Sequence, residues 1–155
     1  MRMLLAILMC LAAVPAACSP AAIASLLPSA GPLVTVSTRG GMCPDGPCGT
    51  TVTLHRDGTV HEATLPPNEI AGTVPAPQVA AIDAAIQATD FATLRSRPFT
   101  GECPTAFDGQ EILFAFTTPT GTEHISTCEV DVDLGAPVFV AVGAALGPFI
   151  ALPLT

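Results

Sequence analysis

Two histidines, His55 and His61, flank the turn Arg56-Asp57-Gly58 and are the side chains best suited to metal chemistry. Their placement depends on the register of the hairpin. A two-residue turn places Leu54 opposite His61, whereas a three-residue turn with a bulge places Leu54 opposite Val60 and gathers the apolar residues on one face. We predict the second register because it builds a core, and it sends both histidines to the same outward face.

Imidazole groups that share one sheet face are suitable ligands for a transition metal. Glu62 follows His61 directly and His124 belongs to a later strand, so each is a candidate for a further ligand. The alternative is that His55 and His61 are solvated polar residues, because no carboxylate or third histidine stands at a recognisable ligand spacing. His55 and His61 are thus the metal-ligand candidates of the chain, although we expect no bound metal or other cofactor.

Arg95 and Arg97 form the only arginine cluster, at the start of a loop that continues to Gly109. Guanidinium groups bind carboxylates and phosphates, so this cluster is the candidate site for an anion or an acidic partner. The alternative is local pairing with Glu102 and Asp108, which gives surface ion pairs of little energetic weight.

The cysteines divide into a leader group and a domain group. Cys10 and Cys18 belong to the leader and its anchor, which leaves an even set of four in an oxidising compartment: Cys43, Cys48, Cys103 and Cys128. Four cysteines allow three pairings. We favour Cys43 with Cys48 inside one loop, and we favour a second bond, between Cys103 and Cys128, across a later hairpin.

Two other uses of these cysteines are open. A four-cysteine zinc site is one, but the tighter C-x2-C spacings typical of such sites are missing. A redox role for Cys43 and Cys48 is the other. The residues between them include two prolines, which favours a loop staple over an exchange-active C-x-x-C pair.

Residues 1–17 are predicted to be a secretory signal peptide, in which Arg2 is followed by an apolar run too short to span a bilayer. Pro15-Ala16-Ala17-Cys18 resembles a bacterial lipobox, although Pro15 replaces the usual aliphatic residue. We therefore predict a lipid on Cys18, a tether over residues 18–32 and a single domain over residues 33–155. The alternative is a signal-peptidase cut after Ala24, which releases a soluble secreted protein.

The composition argues against several function classes. Acidic residues outnumber basic ones by 13 to 5, and the formal net charge is -8 at pH 7, a balance that repels nucleic acid. Lysine is absent, which excludes Schiff-base and lysine-base chemistry. Hydrolase elbows, zinc-protease helices, phosphate loops and dinucleotide fingerprints are also missing, so we incline away from an enzyme.

Hydrophobic periodicity predicts the elements that hold these side chains. The helix stripe Val79, Ile82 and Ile86 and the alternating strand Ile112, Phe114 and Phe116 are its clearest parts. The predicted elements are strands Leu33 to Thr38, Thr50 to His55 and Thr59 to Thr64, helix Pro77 to Gln87, strands Glu111 to Thr117 and Thr122 to Val130, and helix Pro137 to Leu146. This β-β-β-α-β-β-α order predicts an α+β fold: an antiparallel sheet of about five strands, with two helices on one face and disulfide bracing.

The C-terminal residues 136–154 carry no charge, and a membrane span is one interpretation. Prolines and glycines leave only about half of the roughly twenty uninterrupted residues that a span requires. We predict instead a buried helix followed by an apolar strip packed on the domain.

The segment from Val34 to about Leu146 resembles a family of uncharacterised bacterial secreted and lipoprotein domains. The likeness rests on the loop Cys43-Pro44 to Cys48, the hairpin Arg56-Asp57-Gly58-Thr59-Val60, the helix ending Asp90-Phe91-x-x-Leu94 and a second hairpin. The resemblance implies a secreted or lipid-anchored bacterial domain, and it brings no activity and no catalytic residues.

The sequence therefore supports two hypotheses. The first is a lipid-anchored protein of the cell envelope, facing outside the cytoplasm, whose non-catalytic domain binds an envelope protein. The second is a metal-binding or hydrolytic secreted enzyme that uses His55, His61 and nearby acids.

Overall fold

The computed structural model describes residues 31–43, 46–66 and 69–152, without the side chains of residues 43, 46 and 47. Its first strands are β1 (Pro32–Arg39), β2 (Met42–Cys43), β3 (Gly46–Pro47), β4 (Thr51–His55), β5 (Thr59–Glu62) and β6 (Gly72–Thr73). They are followed by helices α1 (Ala76–Ala88) and α2 (Phe91–Arg95), a 3-10 turn (Pro104–Phe107), strands β7 (Glu111–Thr118) and β8 (Gly121–Ser126), and helix α3 (Pro137–Leu146).

Six strands form one sheet in the order β6-β5-β4-β1-β7-β8, and all neighbours are antiparallel. The predicted α+β class with an antiparallel sheet is confirmed. The expected count of about five becomes six because β6 pairs two residues with β5, in a segment where the predicted order has no element. Strands β2 and β3 form a separate two-residue ribbon.

The predicted hairpin register is confirmed, since Leu54 pairs with Val60 across β4 and β5. The second hairpin differs from its prediction at one end, because β8 stops at Ser126 rather than Val130. The backbone N–H groups of Glu129 and Val130 both donate to the Ser126 carbonyl and close a turn there.

Helix α1 buries the predicted stripe Val79, Ile82 and Ile86 against the sheet, and α3 has the predicted bounds. The residues that we took as the end of α1 form the separate helix α2. Asp90 begins that helix, because its carboxylate accepts from the backbone N–H of Thr93 at 3.0 Å.

The core lies between the sheet and the helices. Three phenylalanines that are at most 1 % exposed form its centre: Phe114, Phe116 and Phe139. The Phe114 and Phe139 rings meet edge to face with centroids 4.9 Å apart, a favourable arrangement for aromatic pairs.

The apolar C-terminal strip packs on the domain as far as the structure describes it. Ile150 is buried, and the ring of Phe149 occupies the space that a side chain on Gly72 would need. Within residues 31–152, the described helices are all too short or too polar to cross a membrane.

Candidate functional site

The sheet face turned away from the helices is the open face, and it carries the polar side chains of alternating strand positions. Two cross-strand hydroxyl pairs lie on it, Thr35 with Thr53 at 3.0 Å and Ser37 with Thr51 at 2.9 Å. The strand registers place one row of residues across five strands: His61, Thr53, Thr35, Ala115 and His124. The open face is thus a polar surface with a histidine at each side.

His55 and His61 share this open face, as predicted, and their ring centroids are 4.7 Å apart. The suggested further ligands do not join them. His124 ends the same row four strand spacings away, or about 19 Å at ~4.8 Å per spacing. Glu62 pairs with Val52 on the helix side, where its carboxylate accepts from the Thr64 hydroxyl at 2.8 Å.

The histidines therefore offer two ligands from neighbouring strands. Among the described residues, the groups of three or more potential ligands that converge include neither of them. A metal at this pair would have to complete its coordination with water or with a partner's ligand.

The two candidate arginines have different surroundings. Arg95 forms an ion pair with Glu123 of the edge strand β8, and not with Glu102 or Asp108, the two acids that we considered. Arg97 is exposed, and no ion pair involving it occurs among residues 31–43, 46–66 and 69–152. The charge of Arg95 is therefore already matched by Glu123, which leaves Arg97 as the candidate for binding an anion.

The predicted bond between Cys103 and Cys128 is confirmed, with Cα atoms 5.2 Å apart. It fastens the loop before β7 to the turn after β8, and it rules out the four-cysteine zinc site in this state. Cys48 is also disulfide-bonded. The side chain of its predicted partner, Cys43, is outside the described part of the chain, so that pairing stays a prediction.

Next to the Cys103–Cys128 bond lies a buried carboxylate that sequence reasoning missed. Glu111 is 2 % exposed and accepts from Arg39 Nε at 2.5 Å. The Ser126 hydroxyl donates to the other carboxylate oxygen of Glu111, and the backbone N–H of Cys128 donates to Ser126 Oγ at 3.1 Å. Every side chain in this network thus has a defined partner.

The Glu111 carboxyl is ionised at neutral pH because its partners outweigh its burial. Burial alone would raise the pKa of Glu111, but the hydrogen bonds from Arg39 and Ser126 and the charge of Arg39 lower it overall. The same contact raises the pKa of Arg39. The pair is therefore a fixed charge-assisted link between β1 and β7.

The two sulfur atoms and the Glu111 carboxylate form one convergent cluster. The ligand atoms of Cys103, Cys128 and Glu111 all lie within 4.8 Å of one another. The sequence signals for the cluster were the predicted bond between Cys103 and Cys128 and the position of Glu111 on the non-core side of a predicted strand.

Two loops meet at the same end of the sheet. Gly40 and Gly41 have positive φ angles of 89° and 84°, and they pass directly against the loop that contains the 3-10 turn. A side chain on Gly40 would come within 3.0 Å of the Gly109 carbonyl oxygen, and one on Gly41 within 3.3 Å of the Asp108 carbonyl oxygen. Glycine is required there because the two backbones touch.

Each of these loops exposes a large apolar side chain beside the contact. Met42 follows Gly41 and is 79 % exposed, while Phe107 precedes Asp108 and is 69 % exposed. We call Met42, Phe107 and the exposed residues 104–108 the loop-end surface.

Comparison of the chain with protein-family models, with curated proteins and with solved structures gives no match. The resemblance to secreted and lipoprotein domains therefore stays a prediction, and function has to be argued from the geometry.

Proposed function

We propose that this protein is a cell-envelope lipoprotein, anchored through Cys18, whose domain binds a protein partner through the loop-end surface. One observation carries the proposal: Met42 and Phe107, the two most exposed large apolar side chains of the described residues, lie on two loops in contact. Because they are exposed to water, these two side chains contribute little burial energy to the isolated domain. Phenylalanine and methionine are enriched where proteins bind one another.

The loop-end surface is held rigidly, which favours binding. The Cys103–Cys128 bond fixes the loop that carries Phe107, and the Arg39–Glu111 ion pair joins the strand ends next to both loops. Rigid loops lose less conformational freedom when a partner binds, so more of the contact energy is available for affinity.

The direction of β1 supports an anchored arrangement. The predicted tether enters the sheet at Pro32, and β1 ends at Arg39 beside the loop-end surface. An eight-residue strand spans about 26 Å at ~3.3 Å per residue. A lipid on Cys18 would thus attach the domain to the membrane through the end of β1 opposite the loop-end surface.

The charge distribution indicates the chemistry of the partner. Glu102 and Asp108 are exposed in the loop that carries Phe107, and the whole chain has a formal net charge of -8. An apolar pocket with basic residues at its rim is complementary to such a surface. Nucleic acid and anionic lipid headgroups are disfavoured by the same charge.

Site-specific photocrosslinking in intact cells tests the binding proposal. A photoreactive residue at position 107 should capture one discrete envelope protein, and Met42→Asp should reduce that capture at least tenfold. The matched control is the same photoreactive residue at Val140, an apolar side chain that is 52 % exposed on α3. Equal capture from positions 107 and 140, or capture unaffected by Met42→Asp, would contradict the proposal.

Metabolic labelling tests the anchor separately. Cells given a labelled fatty acid should label the wild-type protein but not Cys18→Ser, which should leave the membrane fraction. Unchanged labelling of Cys18→Ser would refute lipidation at this residue and leave the loop-end surface untouched as a binding site.

A metal-binding or hydrolytic enzyme built on His55 and His61 is the second candidate, and the 4.7 Å contact of their rings is the observation in its favour. The purified protein would then hold one metal ion per chain, and His61→Ala would lose it. The matched control is His124→Ala, which removes a histidine of the same face in the part of the row farthest from the pair. A metal content unchanged by His61→Ala would exclude this candidate.

A further inference from the structure

We propose that Cys103, Cys128 and Glu111 bind a thiophilic divalent cation, with Zn²⁺ the natural choice, once a dithiol reductant has opened the disulfide. The site is distinct from the loop-end surface and from the histidine pair, and it does not depend on either. It would give the domain a second way to hold the Cys103 loop against β8.

The ligand positions need only small shifts to surround a cation. Zinc binds thiolate sulfur at about 2.3 Å and carboxylate oxygen at about 2.0–2.2 Å, which sets ligand atoms within roughly 4 Å of one another. The three ligand atoms already lie within 4.8 Å. Cys103 belongs to a loop and Cys128 to a turn, so the sulfur atoms can separate after reduction without disturbing a strand.

Glu111 has the outer hydrogen bonds that carboxylate ligands of metals commonly have. Its oxygens accept from Arg39 Nε and from the Ser126 hydroxyl, and a carboxylate has about four lone-pair sites, so capacity remains for a cation. Outer hydrogen bonds of this kind fix the orientation of a ligand and tune its affinity. The half-buried cysteines leave one side open, so water can take the fourth position.

The charges of the cluster sum to zero both in the disulfide state and in the reduced state with a bound cation. In the disulfide state the negative charge of Glu111 is matched by Arg39. With two thiolates and a divalent cation added, the sum of the five charges is again zero. The cation thus supplies the positive charge that lets both cysteines bind as thiolates beside Glu111.

The redox step is balanced by the reductant. Two electrons and two protons pass to the Cys103–Cys128 bond, giving two thiols, while the two thiols of the reductant become a disulfide. The cation then displaces the two thiol protons into solvent. Reoxidation requires that the cation leave, so metal and disulfide exclude each other.

The site can be tested in the full-length wild-type protein, because a bound cation should protect Cys103 and Cys128 from alkylation. The protein is reduced with a phosphine, given Zn²⁺ or a chelator, alkylated briefly and analysed by peptide mass spectrometry. Zn²⁺ should slow the alkylation of Cys103 and Cys128 at least tenfold relative to chelator. Equal alkylation with Zn²⁺ and with chelator would overturn the proposal.

Two variants test whether the Glu111 carboxylate is a ligand of the cation. Glu111→Gln should abolish most of the protection, whereas Glu111→Asp, which keeps a carboxylate and its charge, should retain at least part of it. Cd²⁺ titration should give an ultraviolet sulfur-to-metal band that is lost in Cys103→Ser. Protection in Glu111→Gln equal to that of wild type, or Glu111→Asp behaving like Glu111→Gln, would show that Glu111 is no ligand and the proposal would fail.

Discussion

The two faces of the sheet are held by different forces. The covered face packs Phe114 and Phe116 against α1 and α3, where their exposure is 1 % or less. The open face carries the hydroxyl pair Thr35 and Thr53 and, towards one end, the ion pair between the buried Glu111 and the exposed Arg39. Apolar burial therefore stabilises one side of the molecule, while hydrogen bonds, one ion pair and a disulfide organise the other.

This difference indicates which side chains are able to bind a ligand or a partner. Side chains on the covered face are committed to packing, whereas the exposed polar groups of the open face can exchange a protein partner for water at small cost. The ends of the open face also differ from each other. His55 and His61 supply two ligands, while Glu111 converges with two sulfur atoms.

The largest effect is expected on the covered face. Phe114→Ala should lower the free energy of unfolding by about 3–5 kcal/mol, because it removes a buried ring and leaves a cavity. Its matched control is the neighbouring Leu113→Ala, which truncates a half-buried side chain of the open face. Chemical denaturation monitored by circular dichroism gives both values. Equal losses would show that the two faces are packed alike.

Removing the disulfide should have the next largest effect. The double variant Cys103→Ser and Cys128→Ser removes a cross-link between cysteines 25 residues apart in the sequence. It should lower the free energy of unfolding by about 3 kcal/mol, because the unfolded chain gains conformational entropy without the cross-link. Limited proteolysis should then cut within residues 104–108 first. Unchanged stability and unchanged proteolysis would show that the loop is held by its packing alone.

The Glu111 network should give a smaller, pH-dependent effect. The pKa of Glu111 is below its ordinary value of 4.5, so the folded state binds the proton less readily than the unfolded state. Its stabilisation is therefore present above the unfolded pKa and lost as pH falls through the folded pKa. Glu111→Gln should cost about 1–3 kcal/mol at neutral pH and flatten the acidic part of the stability profile.

Glu129→Gln is the matched control for this pH dependence, because Glu129 is an exposed acid close to the same cluster. Urea unfolding at a series of pH values measures both variants. A Glu111→Gln profile that keeps the full acidic slope of wild type would show that the network does not contribute to acid stability.

Local periodicity was sufficient to predict much of this fold. The stripe of α1 and the pairing of Leu54 with Val60 follow from spacing and from a short turn, and both are confirmed. The bond between Cys103 and Cys128 was predictable for a similar reason, because the two cysteines flank one hairpin. These contacts are set by residues close together in the chain.

The convergent cluster was not predictable in the same way. Arg39 and Glu111 are 72 residues apart and meet because β1 lies between β4 and β7, an arrangement that no local pattern specifies. Strand β6 was missed because two residues show no periodicity. The exposure of Met42 and Phe107 was missed because apolar residues are expected to be buried, and no local pattern shows that these two are not.

The smallest effect on the free energy of unfolding is expected for the hydroxyl pairs. Their variants test most directly whether the open face is exposed to water. Thr53→Val alone leaves the Thr35 hydroxyl without its 3.0 Å partner, yet that hydroxyl can turn to water, so we expect a loss of at most about 1 kcal/mol. Thr35→Val together with Thr53→Val should be nearly neutral, since both partners are removed and valine suits a strand. Thermal unfolding of the single and double variants measures these differences in stability. A double variant as unstable as Phe114→Ala would mean that this face is buried like the other one.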